Sequence, residues 1–197
     1  MISLRAELLG PDGLPADLYK TFATALAPHL LYVFEQSVQE GSLLISQNEA
    51  LLVSLPKPRK DPMELGSYHP LAMLNTDYKM LAKMIVARLA PMVPDLVHAD
   101  QNGFVPAQDT SHNIRRLFCV MHYSTREWQI VGCLVLDLEK AFDSLEWPCL
   151  FGVLRQLGLE PLFLRMIKLL YTSPRVQVRT SGGISEPVEV RRGTRQG

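Results

Sequence analysis

The sequence LVLDLEKAFD, from Leu134 to Asp143, is the stretch that decides how this chain folds and what it does. Together with the residues before it, it forms a nearly continuous apolar run from Ile130 to Leu136, which ends at Asp137. A run of this length without polar alternation is typical of a central strand covered on both faces. We therefore predict a strand over 130–136 with Asp137 at its exposed end. A carboxylate fixed there suits a hard cation such as Mg²⁺, although an aspartate after a strand is also common in turns and helix caps.

The composition indicates a folded globular chain of mixed class. Hydrophobic residues make up 47% of the 197 residues, which is ordinary for one domain with a real core. Lys+Arg and Asp+Glu number 20 each, so the net charge is zero, which counts against a free-standing nucleic-acid binder but does not exclude a local basic groove. Helical and strand patterns are interleaved, which predicts an α/β or α+β fold.

Apolar periodicity and Gly/Pro positions give the expected elements. We predict helices over 16–39 (divided at Pro28 and ended by Gly41), 77–89, 113–123, 144–157 (capped by Ser144) and 161–171; besides the strand over 130–136, we predict a strand over 50–55 and a hairpin of 175–180 with 187–191.

Five sequence blocks resemble those of reverse transcriptases, in the form that LINE-type (non-LTR) retrotransposons use. Val135–Asp143 resembles the motif of the first catalytic aspartate. The other blocks stand in the family's order: GPDGLP (10–15), LPKP (55–58) with YHPL (68–71), DQNGFVP (100–106) with NIRR (113–116), and RGTRQG (192–197). The resemblance implies part of a right-hand polymerase fold: a helical segment over 1–49, the fingers over 50–129 and the start of an incomplete palm over 130–197.

The resemblance also implies an activity and a role for particular residues. The parent enzyme would add dNTPs to a DNA primer on an RNA template with two Mg²⁺ (or Mn²⁺) ions, which Asp137 helps to bind. Phe142 matches the residue that lies under the sugar and excludes a 2′-hydroxyl. Gln196 matches the residue that contacts the incoming nucleotide, where Gly197 would permit close backbone approach. Lys57 lies near the triphosphate. Three of these residues also have a plain structural interpretation: Phe142 as a core residue, Gln196 as a polar loop residue and Lys57 as a solvated surface charge.

Two departures from the family's pattern concern nucleotide affinity and activity. His69 stands where the family usually has an arginine, whose planar fork of donors holds the triphosphate. The sequence ends at Gly197, before the family's second aspartate block, so we expect this fragment to be inactive. Two alternatives stay open. One is a noncatalytic nucleic-acid-binding remnant with a basic surface (Lys57, Arg59, Lys60, Lys79, Lys83 and Arg88), and the other is a translated pseudogene fragment.

The cysteines and the apolar segments bear on location. Cys119, Cys133 and Cys149 are far apart and form no paired motif, so we expect small buried side chains in a reducing compartment. The sequence shows no signal peptide and no apolar run long enough to span a bilayer. We therefore expect an intracellular protein, nuclear or cytoplasmic, with no membrane partner.

Overall fold

The computed structural model describes residues 9–127, 130, 132–180 and 182–195, apart from the side chain of Leu65. The chain forms two compact units, one of residues 1–83 with 141–197 and the other of residues 84–140. The helices are α1 (Ala16–Thr21), α2 (Ala23–Glu40), α3 (Ile45–Asn48), α4 (Thr76–Leu89), α5 (Val93–Leu96), α6 (Thr110–Arg126), α7 (Trp147–Gln156) and α8 (Pro161–Leu169). The strands are β1 (Glu49–Pro56), β2 (Tyr68–Leu74), β3 (Arg175–Thr180), β4 (Gly183–Ile184) and β5 (Val188–Glu189). The mixed α/β class is confirmed.

The sheet of the first unit is organised around β1. This strand pairs antiparallel with β2, placing Ala50 opposite Leu74, and parallel with β3, placing Ala50 opposite Val176. Both β4 and β5 pair antiparallel with β3. The pairing of β5 with β3 confirms the predicted hairpin of 175–180 with 187–191. Helices α2 and α8 pack together in the same unit. The buried apolar residues of this unit include Phe34, Leu43, Ala50, Met73, Leu74, Tyr78, Leu81, Leu159, Ile167 and Leu169.

Most of the predicted helices are confirmed, with corrections at their ends. Pro28 lies inside α2, and the break comes earlier, at Phe22. Pro28 removes one backbone hydrogen bond of α2, and the helix nevertheless continues through it to Glu40. Gly41 ends α2 as expected, with a positive φ of 75°. Helix α7 begins at Trp147 and not at Ser144, because residues 139–144 form turns.

The predicted strand over 130–136 is wrong. Ile130 and residues 132–138 have no regular secondary structure, and Val131 lies outside the described residues. Leu134, Val135 and Leu136 are about four-fifths exposed, at 81%, 85% and 79%. A strand exists through hydrogen bonds to a neighbouring strand. No strand in the described part of the chain lies beside this segment, so its apolar sequence alone does not make it one.

The expectation of buried cysteines is also wrong, since Cys119, Cys133 and Cys149 are all exposed. Cys133 belongs to the same unpaired segment as Leu134, and Cys119 lies on α6, whose described residues are nearly all exposed. Burial was inferred from the apolar neighbours of each cysteine, but Leu134, beside Cys133, and Phe118 and Val120, beside Cys119, are themselves exposed. Among the residues described, no helix combines the length and apolar character needed to cross a bilayer.

The block GPDGLP is anchored by Asn75, a buried residue that follows β2 directly. The Asp12 amide donates to Asn75 Oδ1 at 3.2 Å, and Asn75 Nδ2 donates to the Ser46 carbonyl at 2.8 Å. A Cβ on Gly10 would lie 2.1 Å from Asn75 Oδ1, so only glycine fits there. The loop ahead of α1 is therefore fixed to the end of β2.

Candidate functional site

Two of the sequence blocks meet through backbone hydrogen bonds in the first unit. The Thr194 amide donates to the Phe142 carbonyl at 2.9 Å, and the Gly193 amide donates to the Leu145 carbonyl at 2.7 Å. The Trp147 indole Nε1–H donates to the Gly193 carbonyl at 2.9 Å. The segment after Asp137 and the segment before Gln196, which are about fifty residues apart in sequence, are thus joined edge to edge.

Gly193 is the residue that makes this approach feasible. Its φ is +82°, a conformation that glycine adopts without steric cost. A Cβ at this position would lie 2.9 Å from the Asp143 carbonyl oxygen and 3.0 Å from its Cα. Because both atoms belong to the backbone, the clash cannot be relieved by moving a side chain. The sequence analysis quoted Gly193 as part of a block but did not assign it this role.

Arg195 connects the same block to the sheet and to α4. Its Nη2 donates to the Asn48 carbonyl, and its guanidinium lies over the Tyr78 ring, 4.9 Å from the centroid. Burial lowers the pKa of Arg195, which the nearby Tyr78 partly opposes. Burial likewise raises the pKa of Tyr78, against the effect of the Arg195 charge. The sequence analysis missed both roles, because a buried arginine over an aromatic ring has no short-range pattern.

A small cavity of about 170 Å³ lies beside these contacts. Its apolar wall comes from neighbouring strands and includes Ala50, Leu52, Ala72 and Val176. Its charged lining residues are Arg175, Arg192, Arg195 and Asp143. With three arginines and one carboxylate, the lining carries a net positive charge, so the cavity favours an anionic group.

The predicted nucleotide-binding residues are only partly brought together. Phe142 is 51% exposed and bonds through its carbonyl to Thr194. Lys57 lies after β1, where its Nζ donates to the Gly66 carbonyl at 2.8 Å. His69 is an exposed residue of β2 and is absent from the cavity lining, although its neighbour Pro70 is part of it. Gln196 and Gly197 lie outside the described residues.

The predicted metal ligand, Asp137, belongs to the second unit. It is exposed and lies in the irregular segment 132–138. Over the described ranges, no three His, Cys, Asp or Glu side chains come together as a metal site would require. As a carboxylate donor, the residue is chemically suited to Mg²⁺.

The second unit brings together the two halves of another block, DQNGFVP and NIRR. Arg116 forms an ion pair with Asp100 at 2.5 Å, and Asn102 Nδ2 donates to Asn113 Oδ1 at 2.5 Å. Asp109 caps α6 by accepting from the Ser111 amide at 2.7 Å. Hydrogen bonds from Ser111 lower the pKa of the Asp109 carboxyl. The two halves of this block, which were grouped by their resemblance to the family, therefore contact each other in this unit.

Comparison with known proteins decides the family. The model of the reverse transcriptase (RNA-dependent DNA polymerase) family matches residues 55–197, more than half of the chain. The chain belongs to the reverse transcriptase family. That match includes Asp137, the joined segments around Phe142 and Gly193, and the charged residues that line the cavity.

Relatives narrow the family to the non-LTR retrotransposon group. The chain is 31% identical over 188 residues to the transposon TX1 uncharacterized 149 kDa protein of Xenopus laevis, covering 95% of this chain and 14% of that protein. It is 25% identical to the RNA-directed DNA polymerase from mobile element jockey of Drosophila funebris, covering 86% of this chain and 19% of the relative. It is 28% identical to the putative 115 kDa protein in type-1 retrotransposable element R1DM of Drosophila melanogaster, covering 95% and 18%. The chain thus spans less than a fifth of each of these relatives.

Proposed function

We propose that this chain carries the nucleotide-binding part of an RNA-directed DNA polymerase. In the proposed reaction, the 3′-hydroxyl oxygen of a DNA primer attacks the α-phosphorus of a dNTP paired with an RNA template. A phosphodiester bond forms, and pyrophosphate leaves. The observation that carries the proposal is the pair of backbone hydrogen bonds that join Phe142 and Leu145 to the block before Gln196. Two segments to which the family resemblance gives nucleotide contacts are thereby held against each other.

Phe142 is the proposed gate for deoxynucleotides. A ring placed under the sugar leaves no space for a 2′-hydroxyl, so ribonucleotides are excluded by steric contact. Its backbone carbonyl is fixed by Thr194, which limits how far the ring can retreat. Gln196 and Gly197 are proposed to contact the incoming nucleotide from the adjoining block. This arrangement is supported by the close approach that Gly193 permits.

The triphosphate is proposed to bind near the cationic cavity. Arg175 and Arg192 line it and supply charge-assisted donors that suit phosphate oxygens. Lys57 and His69 are the residues that the family pattern gives to this role. Because His69 is not among the residues that line the cavity, we propose that the arginines supply most of the positive charge there.

The proposed cofactor is Mg²⁺ or Mn²⁺, with Asp137 as one oxygen ligand. When bound, such ions activate the primer hydroxyl and neutralise the charge that develops on the phosphates. The proposed partners are an RNA template, a DNA primer and dNTPs. We propose an intracellular location, in the nucleus or the cytoplasm, because the nucleic-acid substrates are found there.

The test is a nucleotide-binding titration. The chain is mixed with poly(rA)/oligo(dT) and Mg²⁺, and the dissociation constants of dTTP and UTP are measured by equilibrium dialysis. We expect tighter binding of dTTP, and near equality of the two nucleotides in Phe142→Ala. The control is Phe118→Ala, which removes an exposed ring of α6 and should leave the preference unchanged. A wild-type chain that binds neither nucleotide contradicts the proposal.

Catalysis is tested separately by primer extension on the same template with Mg²⁺ or Mn²⁺. That this chain extends no primer by itself stays a prediction, based on the family's need for aspartates beyond Asp137. Extension by the unmodified chain that disappears in Asp137→Ala would contradict it. That outcome would also show that Asp137 acts together with other carboxylates.

A further inference from the structure

We propose that Arg195 is a positioning residue, which locks the nucleotide-contacting block onto the sheet through Tyr78 and Asn48. The proposal rests on the proposed function, because it concerns how Gln196, the next residue, is placed for the incoming dNTP. Nothing in the sequence motif indicates which part of the molecule Arg195 contacts. The structure assigns it to the start of β1 and to α4.

The contact reaches elements that are distant in sequence. Asn48, whose carbonyl accepts from Arg195, is the residue immediately before β1. Tyr78, under the guanidinium, lies on α4 and is 6% exposed. The Tyr78 hydroxyl in turn donates to the Leu170 carbonyl at 3.3 Å, just after α8. A movement of Arg195 would therefore have to disturb several packed elements.

The charge of Arg195 indicates a role beyond packing. Within the described residues, Arg195 has no carboxylate partner, and its Nη1 is buried without a hydrogen-bond acceptor. A half-buried charge without an ion pair carries a desolvation cost, and an apolar side chain of similar size would fill the space at a lower cost. What an apolar side chain lacks is a directional donor combined with a face that stacks on Tyr78. The arrangement therefore supplies a fixed geometry at the expense of stability.

The two anchors of the block lie on successive residues. Gly193 and Thr194 are bonded to the Phe142–Leu145 segment, and Arg195 is hydrogen-bonded to the end of α3, directly before β1, and stacks on Tyr78 of α4. The backbone that enters Gln196 is therefore held from both sides. Without Arg195 the hydrogen bonds of the first anchor should open more often, and the chain beyond it should be free to rotate. Because nucleotide contacts depend on displacements of about 1 Å, affinity should fall while the fold persists.

Two variants are decisive. Arg195→Met keeps an unbranched apolar side chain and removes the charge. Arg195→Lys keeps the positive charge and an N–H donor but removes the planar guanidinium. Arg191→Met is the matched control, because the Arg191 side chain is 83% exposed and pairs only at the surface with Glu189. For each protein, amide hydrogen exchange, thermal unfolding and the dissociation constant for dTTP are measured under the conditions used above. Amides of β1 serve as the internal reference for exchange.

In Arg195→Met, we expect the Gly193 and Thr194 amides to exchange their hydrogens at least about tenfold faster than in the wild type. The exchange rates of the β1 amides should be unchanged, and dTTP binding should be about tenfold weaker. Arg195→Lys should be intermediate in both readouts, and Arg191→Met should match the wild type. If Arg195→Met does not fold, the intermediate values of Arg195→Lys decide the question.

Three results would overturn the positioning role. They are unchanged exchange at Gly193 and Thr194, equal acceleration of all amides including β1, and faster local exchange with unchanged dTTP affinity. If the wild type binds no dTTP, the proposed function fails, and exchange alone decides whether Arg195 holds the block.

Discussion

Strand β1 and the segment 132–138 both contain a short apolar run, but the first forms a strand and the second has irregular backbone. β1 contains the apolar run Ala50–Val53, and the other segment contains the apolar run Leu134–Leu136. β1 lies between β2 and β3, and its Ala50 is 2% exposed. Leu134, in contrast, is 81% exposed and has irregular backbone.

The difference shows what converts an apolar run into a strand. Backbone N–H and C=O groups need partners, and β1 finds them on both sides. The Ala50 side chain is then buried, and the side chains of residues 51–53 are half-buried. The segment 132–138 has the same intrinsic preference but no neighbouring strand among the described residues, so its side chains remain exposed. Four changes test or sharpen this comparison.

The largest effect should come from placing a carboxylate in the apolar run of β1, and the same change in the segment 132–138 serves as the comparison. Ala50→Asp buries a charge in the central strand and should lower the free energy of unfolding by about 4 kcal/mol. Leu134→Asp introduces the same group at an exposed position and should change it by less than about 0.5 kcal/mol. Urea unfolding of both variants provides the measurement. Similar losses in the two would mean that Leu134 is packed.

A methyl group on a glycine tests the contact that joins the two blocks. Gly193→Ala must adopt a positive φ and place its Cβ 2.9 Å from the Asp143 carbonyl oxygen. We expect a loss of about 2 to 3 kcal/mol in the free energy of unfolding. Gly132→Ala is the control in the unpaired segment, because nothing lies within 4 Å of its added Cβ. Thermal melts that rank the two variants equally would argue against the close approach at Gly193.

The indole hydrogen bond between α7 and the same block is a smaller contribution. Trp147→Phe removes the donor to the Gly193 carbonyl and keeps an aromatic ring beside Tyr171, whose centroid lies 5.6 Å from that of Trp147. The expected loss is about 1 kcal/mol. Leu138→Ala, in the exposed segment, should cost less than about 0.5 kcal/mol by the same denaturation assay. If Trp147→Phe leaves the free energy of unfolding unchanged, the hydrogen bond to the Gly193 carbonyl does not stabilise the site.

The smallest expected effect is a pH dependence at high pH. Burial raises the pKa of Tyr78 above its ordinary value of 10.0, so the folded state holds the phenol proton more tightly than the unfolded chain does. The resulting stability is complete below pH 10 and is lost as pH rises through the folded-state pKa. Tyr78→Phe should flatten the decline in unfolding free energy above that pH. An identical decline in the variant would assign it to other groups, such as Tyr171, whose pKa burial also raises.

Local sequence signals predicted those helices and strands whose pattern lies within their own residues. Helix α4 followed from its apolar stripe, and the end of α2 followed from Gly41, since only glycine readily adopts a left-handed backbone there. Strand β2 was not predicted, because Tyr68–Leu74 contains a proline and lacks clean alternation. Its strand conformation depends on pairing with β1, which is information from elsewhere in the chain.

For the candidate site, the sequence by itself determined the family that its blocks resemble and the order of those blocks along the chain. The resemblance of its blocks indicated reverse transcriptase, and the family match confirmed it. Only the tertiary structure decided that Gly193 contacts Asp143, that Arg195 stacks on Tyr78, and that residues 132–138 form no strand. The physical reason is that motifs record side-chain chemistry along the chain. Hydrogen-bond partners, burial and electrostatics depend on segments that meet only after folding.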